Sequence, residues 1–211
     1  MFNLFKKNAE GLKQKKTERT IYTVMLAAAT AALIAAFTLS IEKIHLLENP
    51  DAVLSCSFNV VLNCSTVMQT PQSHVFFGIP NMFIGMVAFP VIVAVAVAGL
   101  WGVKFPRKFL LVANAGVLLG TVFAYWLFFS SLYVIQVLCP WCLVVTTACT
   151  FMFAAFVHLN LKQNNFNLKK AMNEKVQKFL EKGYHQLIVA SWLVLMIALV
   201  FLKFGAELFA A

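Results

Sequence analysis

Apolar residues in this chain come in runs that are too long for a soluble helix and too unbroken for alternating strands. Residues 21–41 (IYTVMLAAATAALIAAFTLSI) carry no charge and can cross a hydrocarbon core of about 30 Å as one helix. The run exceeds a signal-peptide apolar region and ends in no clean cleavage site, so it reads as an uncleaved first span. A second uncharged run covers residues 75–103, and its helix is expected to start at Pro80 and Asn81, because proline suits a first turn. Pro90 then lies inside that helix and kinks it. From Phe109 to Leu161 there is no Lys, Arg, Asp or Glu. A single helix over that stretch would be roughly 80 Å long, so it must fold as two spans. The turn between them falls near residues 134–140, where Pro140 can open the second. A fifth span occupies residues 186–202, bounded by His185 and Lys203.

This pattern predicts an all-α, polytopic membrane protein. Its segments are a basic tail (1–20), a four-span unit (21–161), an amphipathic connector (162–185), and a fifth span with a short tail (186–211). Composition agrees: 61% of the 211 residues are hydrophobic and only 12% charged, more apolar surface than a soluble domain of this size can bury. A net charge of +9 could suggest nucleic acid, but the basic residues sit in short blocks between spans, where they act as topology signals. Six Lys or Arg precede the first span, three separate spans two and three, and six lie between spans four and five; only Lys43 and Lys203 fall on the other side. The positive-inside rule then places the N-terminus in the cytoplasm and the C-terminus outside. The connector is expected to be a solvated helix touching lipid headgroups.

With that topology, four of five cysteines are external: Cys56 and Cys64 in the first loop, Cys139 and Cys142 at the start of span four. Disulfide chemistry belongs on that side, because the cytosol keeps thiols reduced. Cys149 falls two turns into span four and is expected to pack as a small apolar residue. The tetrad Cys139-Pro140-Trp141-Cys142 opens a helix, where unpaired N–H groups and the helix dipole favour a thiolate and so a better leaving group. The loop pair, in SCSFNVVLNCS, is expected to be exposed enough for exchange with a visiting protein. Taken as residues alone, the four cysteines leave three readings open: a redox relay, an all-thiolate zinc site, or structural disulfides. Haem attachment is disfavoured because Leu143 stands where a CxxCH motif has histidine.

Other polar or small residues carry plainer expectations. Trp141 lies flat at the membrane interface, with quinone stacking as the lesser alternative. Gly116 and Gly120 form a GxxxG that lets helices approach. His74 is a solvated loop histidine, with thiolate stabilisation or proton transfer as the sharper alternative. Asn114 makes an interhelical hydrogen bond rather than marking a transport site.

CSFNVVLNC, then FGIPNMFIG at the head of span two, then CPWC opening span four, resemble the vitamin K epoxide reductase family in residues, order and side of the membrane. The resemblance covers about residues 20–160 and implies a four-helix catalytic bundle. It also implies a membrane enzyme in which loop cysteines exchange with a thioredoxin-like partner and the CxxC pair reduces a quinone. By carry-over Cys142 lies nearest the quinone, Cys139 exchanges with the loop, and Cys56 and Cys64 form the shuttle, Cys56 for entry and Cys64 for delivery. Asn81 matches the family asparagine that hydrogen-bonds a quinone carbonyl. Thr146 stands where the animal enzymes carry a quinone-contacting tyrosine, a departure that weakens any case for epoxide reduction.

The resemblance makes menaquinone or ubiquinone the expected acceptor and a DsbA-like or thioredoxin-like protein the expected donor. Because the chain ends soon after span five, that donor is expected to be separate. No double-lysine or KDEL-type address is present, which points to a bacterial cytoplasmic membrane. A DsbB-type oxidase would share the chemistry but carries its CxxC in the first external loop and the wide pair in the second, the reverse of the order here.

Overall fold

A computed structural model describes residues 2–50 and 54–208. Among these residues there are seven α-helices and no strand: α1 (Phe2–Glu48), α2 (Cys64–Met68), α3 (Asn81–Leu100), α4 (Arg107–Ser130), α5 (Pro140–Lys162), α6 (Lys170–Glu181) and α7 (Tyr184–Phe204). Five of them, α1, α3, α4, α5 and α7, are long and apolar enough to cross a membrane. The predicted starts at Asn81 and Pro140 match, and Pro90 lies inside α3. The helix carrying the first span is longer than its uncharged core, running from Phe2 to Glu48. The Lys-, Gln- and Glu-rich stretch before residue 21 favours helix intrinsically, so nothing ends the helix at the charge boundary.

Helices α3, α1, α5 and α4 pack in that order, while α3 and α4 make little contact with each other. The α1 surface at the centre is a stripe of buried alanines, Ala28, Ala29, Ala32, Ala35 and Ala36. Small residues let membrane helices approach closely where no hydrophobic drive separates protein from lipid. The glycines that matter for this lie in α3. A Cβ on Gly99 would stand 2.3 Å from the Tyr22 ring, and one on Gly85 would stand 3.3 Å from the Ala36 methyl. The GxxxG of α4 does not serve this purpose: neither Gly116 nor Gly120 has a neighbouring atom within 4 Å of an added Cβ. Spacing in the sequence identifies a small-residue notch but not what faces it.

Polar groups lock the bundle end remote from the cysteines. Asn160, fully buried, donates to the carbonyls of Leu110 (3.3 Å) and Phe156 (2.9 Å), and accepts from Asn165 Nδ2 (2.9 Å). Arg107 Nε donates to the Asn165 carbonyl at 2.5 Å, tying the start of α4 to the end of α5. The interhelical hydrogen bond expected of Asn114 is not formed through its carbonyl; Oδ1 is buried without a partner among the described residues.

Helix α4 ends in a π-turn (Ser131–Ile135), and Gln136 then takes a left-handed conformation (φ 58°). That exit turns the chain sharply enough for α5 to start at Pro140, and π-turns of this kind recur beside functional sites.

Filling the α1–α3 contact and filling the α4 notch should therefore differ. Gly99→Ala is expected to destabilise the bundle by about 1–3 kcal/mol through overpacking. Gly116→Ala should stay within about 0.5 kcal/mol of the parent. Thermal unfolding of the two purified variants in one detergent measures the difference.

Candidate functional site

The first loop is fixed at both ends by the end of α1. Glu42 accepts hydrogen bonds from the Ser55 backbone N–H (3.3 Å) and from the Ser55 hydroxyl, one residue before Cys56. Lys43 Nζ donates to the Met68 carbonyl at 3.0 Å, at the far end of α2. Between these anchors the chain turns on two asparagines. Asn59 Oδ1 accepts from the N–H groups of Val61 (3.0 Å) and Leu62 (2.7 Å), an Asx-type turn. Asn63 caps α2, accepting from Thr66 N–H at 3.1 Å, so Cys64 is the first residue of that helix.

A short parallel bridge then joins loop and bundle. Leu138 N–H donates to the Val61 carbonyl at 2.7 Å, and Asn63 N–H donates to the Leu138 carbonyl at 3.0 Å. Each segment of this bridge leads directly into a cysteine, Cys64 on one side and Cys139 on the other. Cys56 and Cys64 are joined as a disulfide with Cα atoms 5.6 Å apart. The Cys139 Sγ lies 3.3 Å from the Cys64 Sγ. Cys139 and Cys142 are free thiols.

Cys139 is the N-cap of α5 and Pro140 its first residue. Its thiol is held below the ordinary thiol range, first by a hydrogen bond from the Cys142 side chain and further by the backbone N–H groups of Cys142 and Trp141; burial opposes both. Thr146 donates its hydroxyl to the Cys142 carbonyl at 2.9 Å, and Thr150 donates to the Thr146 carbonyl at 2.9 Å.

Cys139, Cys142 and Thr146 share the wall of a cavity of ≈ 220 Å³ between α3, α4 and α5. Asn81, the first residue of α3, lines it too. The Asn81 Nδ2 donates to the Gln72 carbonyl at 2.7 Å, and its Oδ1 accepts from Val75 N–H at 3.3 Å. One amide hydrogen is thus committed to bracing residues 71–75, and an amide group carries two. Most of the remaining wall is apolar, as expected for a site that takes a flat hydrophobic ligand and orients it by a few polar atoms.

All six residues singled out from the sequence therefore meet at one end of the bundle. One expectation changes. The loop pair is not exposed: Cys56 is 2% accessible and Cys64 0%, because the loop folds back on α1 and α5. Trp141 is half-buried against the cluster containing Leu39, Leu46, Leu54 and the cysteines and does not line the cavity, which goes against the quinone-stacking alternative. His74 is half-buried, shares its Nδ1 with the Ser73 hydroxyl (2.9 Å) and does not line the cavity, which goes against the sharper reading of it as a proton-transfer group there. Cys149 is buried in the bundle core as anticipated, with one surface on the cavity. Sequence reading missed Glu42, Lys43 and Leu138. The charged pair directly after the first apolar run was the signal for the first two.

A membrane helical bundle that buries a disulfide against a CxxC pair, with an apolar cavity beneath, is the architecture of a membrane thiol oxidoreductase. The sequence model of the vitamin K epoxide reductase family matches residues 23–157, more than half of the chain, and the chain belongs to that family. It is a multi-pass membrane protein, and members of the family are thiol oxidoreductases linked to quinones and to thioredoxin-like partners. Comparison with curated proteins gives no match.

Removing the neighbour that stabilises the Cys139 thiolate should raise the Cys139 pKa. In Cys142→Ala the titration is expected to move back up toward the ordinary thiol range, leaving less thiolate at neutral pH. Thiolate ultraviolet absorbance across a pH series, with Cys139→Ala as the blank, measures it; an unmoved titration would contradict the stated cause.

Proposed function

We propose that the protein reoxidises a DsbA-like or thioredoxin-like partner and delivers the electron pair to a membrane quinone, menaquinone or ubiquinone, in support of disulfide formation. The observation that carries this reading is the 3.3 Å separation of the Cys64 and Cys139 sulfurs. It brings the two sulfurs within reach of thiol–disulfide exchange.

In the first step a thiolate of the reduced partner attacks Cys56 and frees Cys64. The second partner thiol completes its own disulfide and leaves Cys56 and Cys64 both reduced. Cys64 then attacks Cys139 of a Cys139–Cys142 disulfide, and Cys142 leaves as thiolate. Cys56 resolves the mixed disulfide, so the loop pair is oxidised again and two electrons reside on Cys139 and Cys142. A bound quinone supplies two carbonyl oxygens that accept two electrons and two protons as the Cys139–Cys142 disulfide re-forms.

The chain's own groups divide the remaining work. Cys142 faces the cavity from the first turn of α5, and Asn81 has its second amide N–H available for a carbonyl oxygen. Thr146 is a contact residue rather than a donor, since its hydroxyl hydrogen is committed to the Cys142 carbonyl. The little-contacted seam between α3 and α4, with Gly120 on the cavity wall, gives an isoprenoid tail a way into lipid.

The placement of both cysteine pairs at one bundle end supports an external active site on a bacterial cytoplasmic membrane. The blocks of Lys and Arg lie toward the other end, on the cytoplasmic side by the positive-inside rule. Because both loop sulfurs are buried, partner entry in this scheme requires the segment carrying Cys56 to open outward, past the exposed Phe58 and Val60.

With purified protein, quinone and a reduced DsbA-like protein, Cys142→Ala is expected to lose quinone reduction by on the order of 10³-fold or more, as removal of a covalent reactant does. Its loop disulfide should still be reduced by the partner. Wild-type rates in that variant would sink the proposal. Gly120→Leu narrows the seam, and it should raise KM for a long-tailed quinone while leaving KM for a short-tailed analogue near the parent value.

A further inference from the structure

Helix α7 lies outside the stretch that matches the family, and the relay above makes no use of it. Its buried face nonetheless meets the elements that place the sulfurs. Met196 and Phe204 (7% and 5% accessible) are buried in one cluster with Val61, Leu132 and Leu138, and Leu62 and Val200 pack at its edge. Val61 and Leu138 are partners in the loop-to-bundle bridge, and Leu138 directly precedes Cys139. The apolar cover over the bridge thus includes two side chains of α7.

A second set of contacts fixes the register of α7. Trp192, one turn before Met196, donates its Nε1–H to the Tyr125 hydroxyl at 2.7 Å. Tyr125 and Thr150 are 2.5 Å apart, and since the Thr150 hydroxyl donates to the Thr146 carbonyl, Tyr125 must donate to Thr150. Near its far end, Lys203 Nζ sits 6.0 Å from the centroid of the Tyr133 ring, in the π-turn that leads toward Leu138. By contrast Leu187, Val194 and Leu202 are exposed.

Glu42 and Lys43 anchor the loop ends, but at the bridge the loop is joined to residue 138 by two backbone hydrogen bonds beside the exposed Phe58 and Val60, and such segments open readily unless apolar contacts cover them. We propose that α7 is a clamp on the shuttle loop. Through Met196 and Phe204 it keeps Val61 and Leu62 on Leu138, and so keeps Cys64 within exchange distance of Cys139. Met196 and Phe204 are positioning residues; neither touches a reacting sulfur in this scheme. The inference rests on the relay reading and adds to it the element that sets how long the loop stays inward.

The test uses the full chain with Cys56→Ser and Cys142→Ser, leaving Cys64 and Cys139 as the pair to be joined. Diamide takes up the two electrons and two protons as that disulfide forms, and non-reducing peptide mapping follows its rate. Met196→Ala and Phe204→Ala, made separately, are each expected to slow joining roughly tenfold, the scale of a small misplacement of reacting groups. Met196→Leu should restore the rate, and Leu202→Ala on the exposed face should leave it unchanged.

With all native cysteines present, the two alanine variants should keep the parent KM for quinone. They should also speed reduction of the Cys56–Cys64 disulfide by a bulky thiol, because a loosened clamp exposes the loop. Unchanged joining in both alanine variants would overturn the clamp, as would equal slowing by Leu202→Ala. If Cys64 and Cys139 fail to join even without an α7 substitution, the relay fails and the clamp with it.

Discussion

Two sulfur atoms from segments far apart in the chain are brought within 3.3 Å by one short parallel pairing of backbone, Leu138 with Val61 and Asn63. The loop around that pairing is built to hold it. The asparagine turn and cap shape the loop so that its carbonyls and N–H groups face residue 138, and the π-turn delivers residue 138 to meet them. Glu42 and Lys43 keep the loop ends from drifting along α1. Pairing with the α4–α5 connection satisfies backbone groups of the loop and sets the thiol geometry by the same two hydrogen bonds.

The spans were legible because lipid imposes a run length that few other environments demand, and because Pro80 and Pro140 mark helix starts that the structure reproduces. The meeting of the cysteine pairs was legible through a motif set, not through any local rule. Burial of Cys56 and Cys64 was not, since it depends on what folds over the loop: Trp141, Leu39 and Leu54 come from three separate segments. The two asparagines in NVVLN are local turn and cap formers that could have suggested a compact loop. The GxxxG of α4 misled because periodicity gives a face and not a neighbour. The alanine repeat in α1 was the better packing signal, and Gly85 and Gly99 are its complement.

A thiol relay makes opposed demands on its loop. Internal transfer needs the loop sulfurs dry, buried and fixed; exchange with another protein needs them reachable. The bonds that hold the loop are of a kind suited to that conflict: a carboxylate to a serine, an ammonium to a carbonyl, two backbone hydrogen bonds and an apolar cover. Each is modest alone, typically around 1 kcal/mol net for a hydrogen bond. Together they hold one position without making it irreversible.

In the proposed relay, the sparse contact between α3 and α4 would shape how the two halves of the reaction are supplied. A molecule that slips through that seam never leaves the bilayer, so it arrives by diffusion in two dimensions, whereas a soluble protein approaching the loop arrives in three. Traffic on the two sides can then be set independently, one by the lipid pool and the other by protein concentration. In that scheme only the two cysteine pairs stand between the two queues.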